Sequence, residues 1–201
     1  MGAMTTLHLA EIVDSTPSEG PGSRFAVWAQ GCLRCCEGCC NPEMFDTEGG
    51  FEMPLQEVME RLERAVHRVE GISLLGGEPF LQAAALAPLA ERARARGLGV
   101  VVFTGYLLEE LKASAVPGTL ALLAVTDLLV DGPYDRECAS SRRRWIGSDN
   151  QRMHFLTDRY RDNADITEDH TQSVHVRVAD GEMQVSGWPE MADALGSKDK
   201  E

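Results

Sequence analysis

The chain has 201 residues, 43% of them hydrophobic and 25% charged, the balance of an ordinary globular protein of about one domain. A formal net charge of −13 argues against a nucleic-acid partner, because phosphate binding needs a dense positive field. No apolar run reaches the roughly 18 residues of a membrane span; the longest, "TLALLAVTDLLV" (119–130), is interrupted by Thr126 and Asp127.

The first 20 residues lack the basic start and apolar stretch of a secretory signal, so a cytoplasmic location is expected, where thiols stay reduced. "LHLAEIV" (7–13) alternates as a strand does, and "STPSEGPGSR" (15–24) is a turn-rich loop. "FAVWAQG" (25–31) reads as a buried strand that delivers the chain into "GCLRCCEGCCNPE" (31–43). That loop holds Cys32, Cys35, Cys36, Cys39 and Cys40; the sixth cysteine, Cys138, is distant and reads as a free, partly buried thiol.

"PLQEVMERLERAVHRVE" (54–70) is an amphipathic helix with Pro54 near its start and Leu55, Val58, Met59, Leu62, Val66 and Val69 on one face. His67 falls among charged neighbours and reads as solvent-facing. "GISLLGGEP" (71–79) is a short apolar strand ending in a glycine turn. A helix over 81–97 follows, with Pro88 inside it and Gly97 as its stop, then a buried strand over 98–103 ending at Thr104-Gly105-Tyr106. Short helices over 107–115 and 119–125 precede an apolar strand over 127–132. Apolar strands alternating with helices specify a parallel sheet covered by helices. Four to six such units are too few for a closed eight-fold barrel and suit a partial, open barrel or a doubly wound sheet.

Residues 133–163 are charged and irregular, and Arg142-Arg143-Arg144 reads as a solvated face. "VHVRVADGEMQVSGWP" (174–189) is a β-hairpin pattern turning near Asp180-Gly181, and the last ten residues should fray. The expected organisation is a core over 1–155 and an extension over 156–201 that carries the hairpin (174–186) and the frayed tail.

In a reduced compartment, the clustered cysteines read as a metal site or a redox site before a disulfide. Cys32-x2-Cys35 and Cys36-x2-Cys39 would satisfy zinc; Cys32-x3-Cys36-x2-Cys39 would give three thiolates to an iron–sulfur cluster and leave Cys35 and Cys40 aside. The loop alone does not separate these. "GGEP" (76–79), at the end of the next strand, does: ligands of parallel α/β folds bind at the carboxyl ends of strands. Glycines there bring backbone close to a ligand, and Glu78 suits a cationic amine. A cluster with one iron free for an amino acid, whose amine sits at "GGEP", accounts for both features; a zinc knuckle accounts for one.

The combination resembles the radical S-adenosylmethionine (SAM) superfamily, and within it the activating enzymes of glycyl-radical enzymes, closest to the anaerobic ribonucleotide reductase activating proteins. The resemblance spans most of residues 10–155. It is carried by "EIVDSTPSEGPGSRFAVWAQGC", "CLRCCEGCCNPE", "GISLLGGEP", "VVFTGYLLEEL", "DLLVDGPY" and "WIGSDNQR", in that order. Two departures stand out: Cys40 occupies a position that is usually aromatic in these proteins, and the tail beyond about residue 156 exceeds the minimal family chain.

The resemblance implies a partial (open) βα barrel of the radical SAM type with a C-terminal β-hairpin extension. It implies a [4Fe–4S] cluster on Cys32, Cys36 and Cys39, with SAM chelated to the open iron and its amine held by Gly76, Gly77 and Glu78. Gly38 and Cys40 would line the adenosyl site, and Thr104 and Asp131 would contact the SAM carboxylate and ribose; each of these two could instead cap a helix or turn. Reductive cleavage of SAM would give a 5′-deoxyadenosyl radical, fed by a flavodoxin- or ferredoxin-type donor. The substrate would be a backbone glycine of a glycyl-radical enzyme, reached through an open face bordered by Trp145, Asn150 and Gln151. Two other functions compete: a radical SAM enzyme acting on a peptide or small molecule, and a non-enzymatic zinc or iron–sulfur binding module.

Overall fold

The computed structural model describes residues 5–140, 142–163, 166, 174–179 and 182–187. Four strands run parallel in the middle of one seven-stranded sheet: β2 (Arg24–Ala29), β4 (Gly71–Gly76), β5 (Gly99–Phe103) and β6 (Leu128–Asp131). Antiparallel strands flank them: β1 (Thr6–Thr16) and β3 (Phe51–Pro54) on one side, β7 (Arg152–Phe155) on the other. The order is β3-β1-β2-β4-β5-β6-β7, so the sheet is open; its edge strands β3 and β7 do not pair with each other. The fold is mixed α/β, as the alternation predicts.

Helices α1 (Leu55–Ala65), α2 (Ala83–Ala95), α3 (Leu108–Lys112) and α4 (Thr119–Val125) connect the strands. Their apolar faces build the main core against alternate strand residues, among them Phe25, Val27, Ile72, Leu74, Val100, Val102 and Leu129. The intervening residues point to the other face, where Val13, Ala26, Trp28 and Leu75 pack with Met44 from the cysteine loop. Further along that face, Val101 and Leu128 pack with Tyr160. Both faces of the parallel strands are therefore buried, which is why they read as continuous apolar runs.

A buried guanidinium closes the amino-terminal edge of the parallel strands. Arg24 is fully buried. It donates to Ser73 Oγ (3.2 Å), Tyr160 Oη (2.7 Å) and the carbonyls of Pro21 (3.2 Å), Gly99 (3.0 Å) and Ile72. Burial pushes its pKa below the ordinary arginine value, partly offset by Tyr160. Glycine is required beside it: a Cβ on Gly71 would strike the guanidinium, and one on Gly99 would strike Tyr160 Oη.

Several boundaries differ from expectation. The helix expected over 54–70 ends at Ala65, and the chain turns through 66–68 before β4. The helix expected over 81–97 is a short 3-10 turn (Pro79–Gln82) followed by α2, which runs through Pro88. Strands β3 and β7 were not expected; each is short, polar or half-buried, and recruited by a longer neighbour. His67 is exposed as expected. In the arginine run, Arg142 pairs with exposed Asp149, while Arg143 donates to the carbonyls of Ser148, Asp149 and Gln151, organising the loop.

Strands β8 (Val174–Ala179) and β9 (Glu182–Gly187) form a separate antiparallel hairpin whose last described pair is Ala179 with Glu182. The expected turn at Asp180-Gly181 and the expected frayed end lie outside the described residues. Among the described residues, no helix is long and apolar enough to cross a membrane.

Candidate functional site

Because β2, β4, β5 and β6 are parallel, their carboxyl ends share one edge. The sequence puts the cysteine loop after β2, "GGEP" after β4, Thr104-Gly105-Tyr106 after β5 and Asp131 at the end of β6. All four segments singled out in the sequence therefore stand along one rim.

The first two are joined by main-chain hydrogen bonds. The Gly77 N–H donates to Ala29 O (2.8 Å) and the Glu78 N–H to Gly31 O (2.9 Å), fixing the glycine turn against the start of the cysteine loop. The loop returns on itself: the Gly31 N–H donates to Met44 O (3.0 Å) and the Cys32 N–H to Phe45 O (3.3 Å). Buried Gln30, not singled out in the sequence, secures the return, its Nε2 donating to Glu43 O (3.2 Å) and Asp46 O (2.7 Å). Glycine is obligatory at this junction. A Cβ on Gly76, whose φ is +106°, would lie 2.6 Å from Ala29 O; one on Gly77 would lie 2.9 Å from Met44 O and closer still to Gly31 O.

Within the loop Cys32 is buried, Cys36 and Cys39 are half-buried, and Cys35 and Cys40 are exposed. All five thiols are free. Burial pushes the Cys32 thiol up, with neighbouring Cys36 adding to the rise. A hydrogen bond from Cys40 brings Cys39 down to about 6, and the same contact pushes Cys40 up. Cys35 donates to Cys32 O (3.2 Å). The thiol set is chemically suited to iron–sulfur ligation, and Cys39 is the readiest thiolate. Among the described residues, no three His, Cys, Asp or Glu side chains are gathered tightly enough to hold a metal ion as they stand. Main-chain hydrogen bonds fix the two ends of the loop.

The polar side chains along the rim have internal partners. Glu78 is fully buried and accepts from the Phe80 N–H (3.0 Å), the Gly105 N–H (3.0 Å) and Thr104 Oγ1, which lies 2.9 and 3.0 Å from its two oxygens. Burial, opposed by those bonds, pushes its pKa up to about 7. Thr104 also accepts from the Tyr106 N–H (3.1 Å). Asp131 is fully buried, accepting from the Leu108 N–H (2.6 Å) at the start of α3 and from Arg152 (2.9 and 2.6 Å). Burial raises its pKa, and the bonds from Arg152 and Leu108 more than reverse the rise. For both Thr104 and Asp131 these are the capping contacts the sequence left as their other reading.

Arg34, inside the cysteine loop, lies over the Tyr106 ring at 5.0 Å and 3.6 Å from Glu110, tying the loop to the β5–α3 connection. Gly38, with φ +77°, approaches Tyr134, whose Cε1 would be 3.4 Å from an added Cβ. Asn150 donates to Pro133 O (2.8 Å), and Gln151 accepts from the Gly147 and Ser148 N–H groups (2.9 and 3.2 Å). Both hold the 133–151 loop. Trp145 is half-buried in the left-handed region (φ 62°) beneath Arg144, 4.9 Å away. Cys138 is half-buried, as expected, and lies 3.4 Å from Asn150 Oδ1.

The 4Fe-4S single cluster domain family matches residues 18–154. Several relatives bear the name anaerobic ribonucleoside-triphosphate reductase-activating protein. The one from Enterobacteria phage T4 is 31% identical over 146 residues, 69% of this chain and 88% of its own length. That of Vibrio cholerae is 33% identical over 146 residues, 69% and 91% of the two chains. That of Escherichia coli K12 is 32% identical over 144 residues, 68% and 91%.

Proposed function

Because this chain belongs to the 4Fe-4S single cluster domain family and to the anaerobic ribonucleoside-triphosphate reductase-activating proteins, we propose that it installs the glycyl radical of an anaerobic ribonucleotide reductase. It is a radical SAM enzyme whose cofactors are a [4Fe–4S] cluster and SAM. The bound cluster, once reduced, would supply one electron to SAM, whose cleavage gives methionine and a radical able to abstract a hydrogen atom. The open seven-stranded sheet is read as the partial βα barrel that such chemistry uses.

In this reading Cys32, Cys36 and Cys39 hold the cluster, and the missing fourth thiolate leaves one iron for SAM. The backbone of Gly76 and Gly77 receives the SAM amine, and Gly38 and Cys40 border the adenosyl side. The main-chain junction between the cysteine loop and "GGEP" keeps these two groups in register. Such chemistry needs water and stray hydrogen donors kept away from the reacting groups. A flavodoxin- or ferredoxin-type protein supplies the electron, and the setting is cytoplasmic.

The observation that carries the reading is the joining of the cysteine loop to "GGEP" at one sheet edge. The test is to incubate the reduced, cluster-loaded protein with SAM and the anaerobic reductase and record the glycyl signal by electron paramagnetic resonance. Deoxyadenosine formed without a glycyl signal, and only with another substrate, would move the assignment to a peptide or small molecule. The hairpin over 174–187, beyond the family match that ends at 154, is what keeps that second reading alive.

A further inference from the structure

The thiol-bearing stretch of the cysteine loop, residues 33–40, is held to the body of the protein differently from the loop's ends. Main-chain hydrogen bonds fix the ends, but among the described residues the main-chain bond of 33–40, Cys39 N–H to Cys36 O (3.2 Å), is internal to the stretch. Two side chains pair it with the rest of the protein. Glu37 meets Arg136 at 2.6 Å, but the two are 81% and 63% exposed, and pairs so open to water hold little. Arg34 is more sheltered, 27% exposed, and has three contacts. It lies over the Tyr106 ring (5.0 Å), pairs with Glu110 (3.6 Å), and packs its Cγ 3.2 Å from where a Cβ on Gly105 would stand. Both partners are themselves anchored. Tyr106 O accepts from the Gly132 N–H (3.1 Å), and Glu110 Oε2 accepts from the Leu107 N–H (2.6 Å) at the start of α3.

This clamp stands next to a strained turn. The N–H groups of Cys35 and Arg34 face the Cys32 sulfur and favour its thiolate. The Cys35 thiol donates back to Cys32 O (3.2 Å). Wrapping the chain around Cys32 in this way puts Cys35 at φ +44°, a left-handed conformation unfavourable for residues other than glycine. Such a conformation persists only where the surroundings hold it. Leu33, on the other side of Arg34, is exposed, so the fastening comes from the Arg34 side chain.

We propose that Arg34 is a positioning residue for the first cluster ligand: stacked on Tyr106 and paired with Glu110, its guanidinium holds the strained Arg34–Cys35 turn around the Cys32 sulfur. The cluster half of this inference rests on the proposed function. The clamp itself is a property of the cofactor-free chain.

Two measurements test it. The first follows alkylation of reduced, cofactor-free protein by iodoacetamide, resolved for each cysteine by mass spectrometry, in wild type, Arg34→Gln, Glu110→Gln and the pair. Cys32 is buried, so its sulfur reacts only when the turn opens. A partly exposed cation–π contact and a partly exposed ion pair each shift that opening by about 2–5-fold. Arg34→Gln removes both and should speed Cys32 alkylation by about 5–20-fold. Glu110→Gln keeps an amide oxygen for the Leu107 N–H, loses only the charge, and should speed it by about 2–5-fold. The pair should be no faster than Arg34→Gln alone. Cys138 should stay within about twofold of wild type throughout. An unchanged Cys32 rate in Arg34→Gln overturns the proposal. So does equal acceleration at Cys138, which means general loosening, and so do effects of the two changes that simply multiply.

The second measurement uses cluster-loaded protein and reads the decay of visible absorption in excess chelator. Arg34→Gln should lose its cluster about 5–20-fold faster than wild type. Arg34→Lys, which keeps the charge for Glu110 but not the flat stack on Tyr106, should fall between the two. Equal rates in all three overturn the cluster half. If the chain takes up no cluster, the proposed function fails, and the alkylation rates still decide the clamp.

Discussion

Replacing Gly77 by alanine tests whether the main-chain junction organises the site. Gly77 does not have a left-handed φ, so the substitution strains no dihedral and its cost is contact alone. The added Cβ would lie 2.8 Å from the Gly31 carbonyl carbon and 2.9 Å from Met44 O, with Gly31 O nearer still. A relaxed carbon–oxygen contact needs about 3.3 Å or more, so the base of the cysteine loop has to retreat by about 0.5–1 Å. Both neighbours are backbone and cannot swing aside. Overpacking of this kind costs about 1–3 kcal/mol. The retreat also weakens the Glu78 N–H bond to Gly31 O, about 0.5–1.5 kcal/mol more. Gly77→Ala should therefore lose about 2–4 kcal/mol, a fall of about 4–16 °C in the melting temperature of cofactor-free protein. It should also retain much less iron and sulfide after anaerobic reconstitution. Gly105→Ala is the control: its Cβ would meet Arg34 Cγ at 3.2 Å, part of a side chain that can yield, and it should cost under about 1 kcal/mol. Wild-type iron content and a midpoint within about 1 °C of wild type in Gly77→Ala would refute the reasoning.

Cys32→Ala, Cys36→Ala and Cys39→Ala should each lose the cluster's visible absorption and iron, while Cys35→Ala and Cys40→Ala keep both; loss in Cys35→Ala would mean a different ligand set. Gln30→Leu removes two bonds to the loop's return, worth about 1–3 kcal/mol together, and should speed cluster loss to a chelator by about 10-fold; an unchanged rate would remove Gln30 from the site. Glu78 titrates near 7 in the folded chain against an ordinary value of 4.5. A raised carboxyl pKa favours the folded state fully below about 4.5 and loses that contribution as pH rises through about 7. Relative to Glu78→Gln, cofactor-free wild type should lose on the order of 3 kcal/mol between those limits, read by urea denaturation at each pH; a difference that stays flat or grows with pH would contradict it.

Much of the sheet was legible because its strands are buried on both faces and so read as apolar runs punctuated by glycine turns. The same property placed the cysteine loop and "GGEP" at strand ends, and parallel pairing then put them on one edge. The hairpin strands fall where their alternation predicts. What escaped were features decided by a neighbour rather than by local pattern. "FEMP" has no strand signal of its own and is an edge strand only because β1 extends far enough to pair with it. "RMHF" is likewise recruited by β6. Arg24 reads as an ordinary charged residue before an apolar run; only Gly71, opposite it across the sheet, leaves room for a buried guanidinium, and Gly99 for its partner Tyr160. Asp131 was legible as a possible cap, but its donors, the Leu108 N–H and Arg152, come from other segments and were not. Gln30 had one available signal, a polar residue ending an otherwise apolar strand just before the cysteines.

The hydrogen bonds that join the glycine turn to the cysteine loop run from N–H to carbonyl, so they carry no side-chain identity. Apart from glycine where space demands it, the junction is blind to what is written along residues 33–40. Substitution at outward-facing positions of the loop, such as the exposed Leu33 and Cys35, leaves its two ends in place. The position of the loop and the chemistry of its outward face are therefore set by different parts of the sequence.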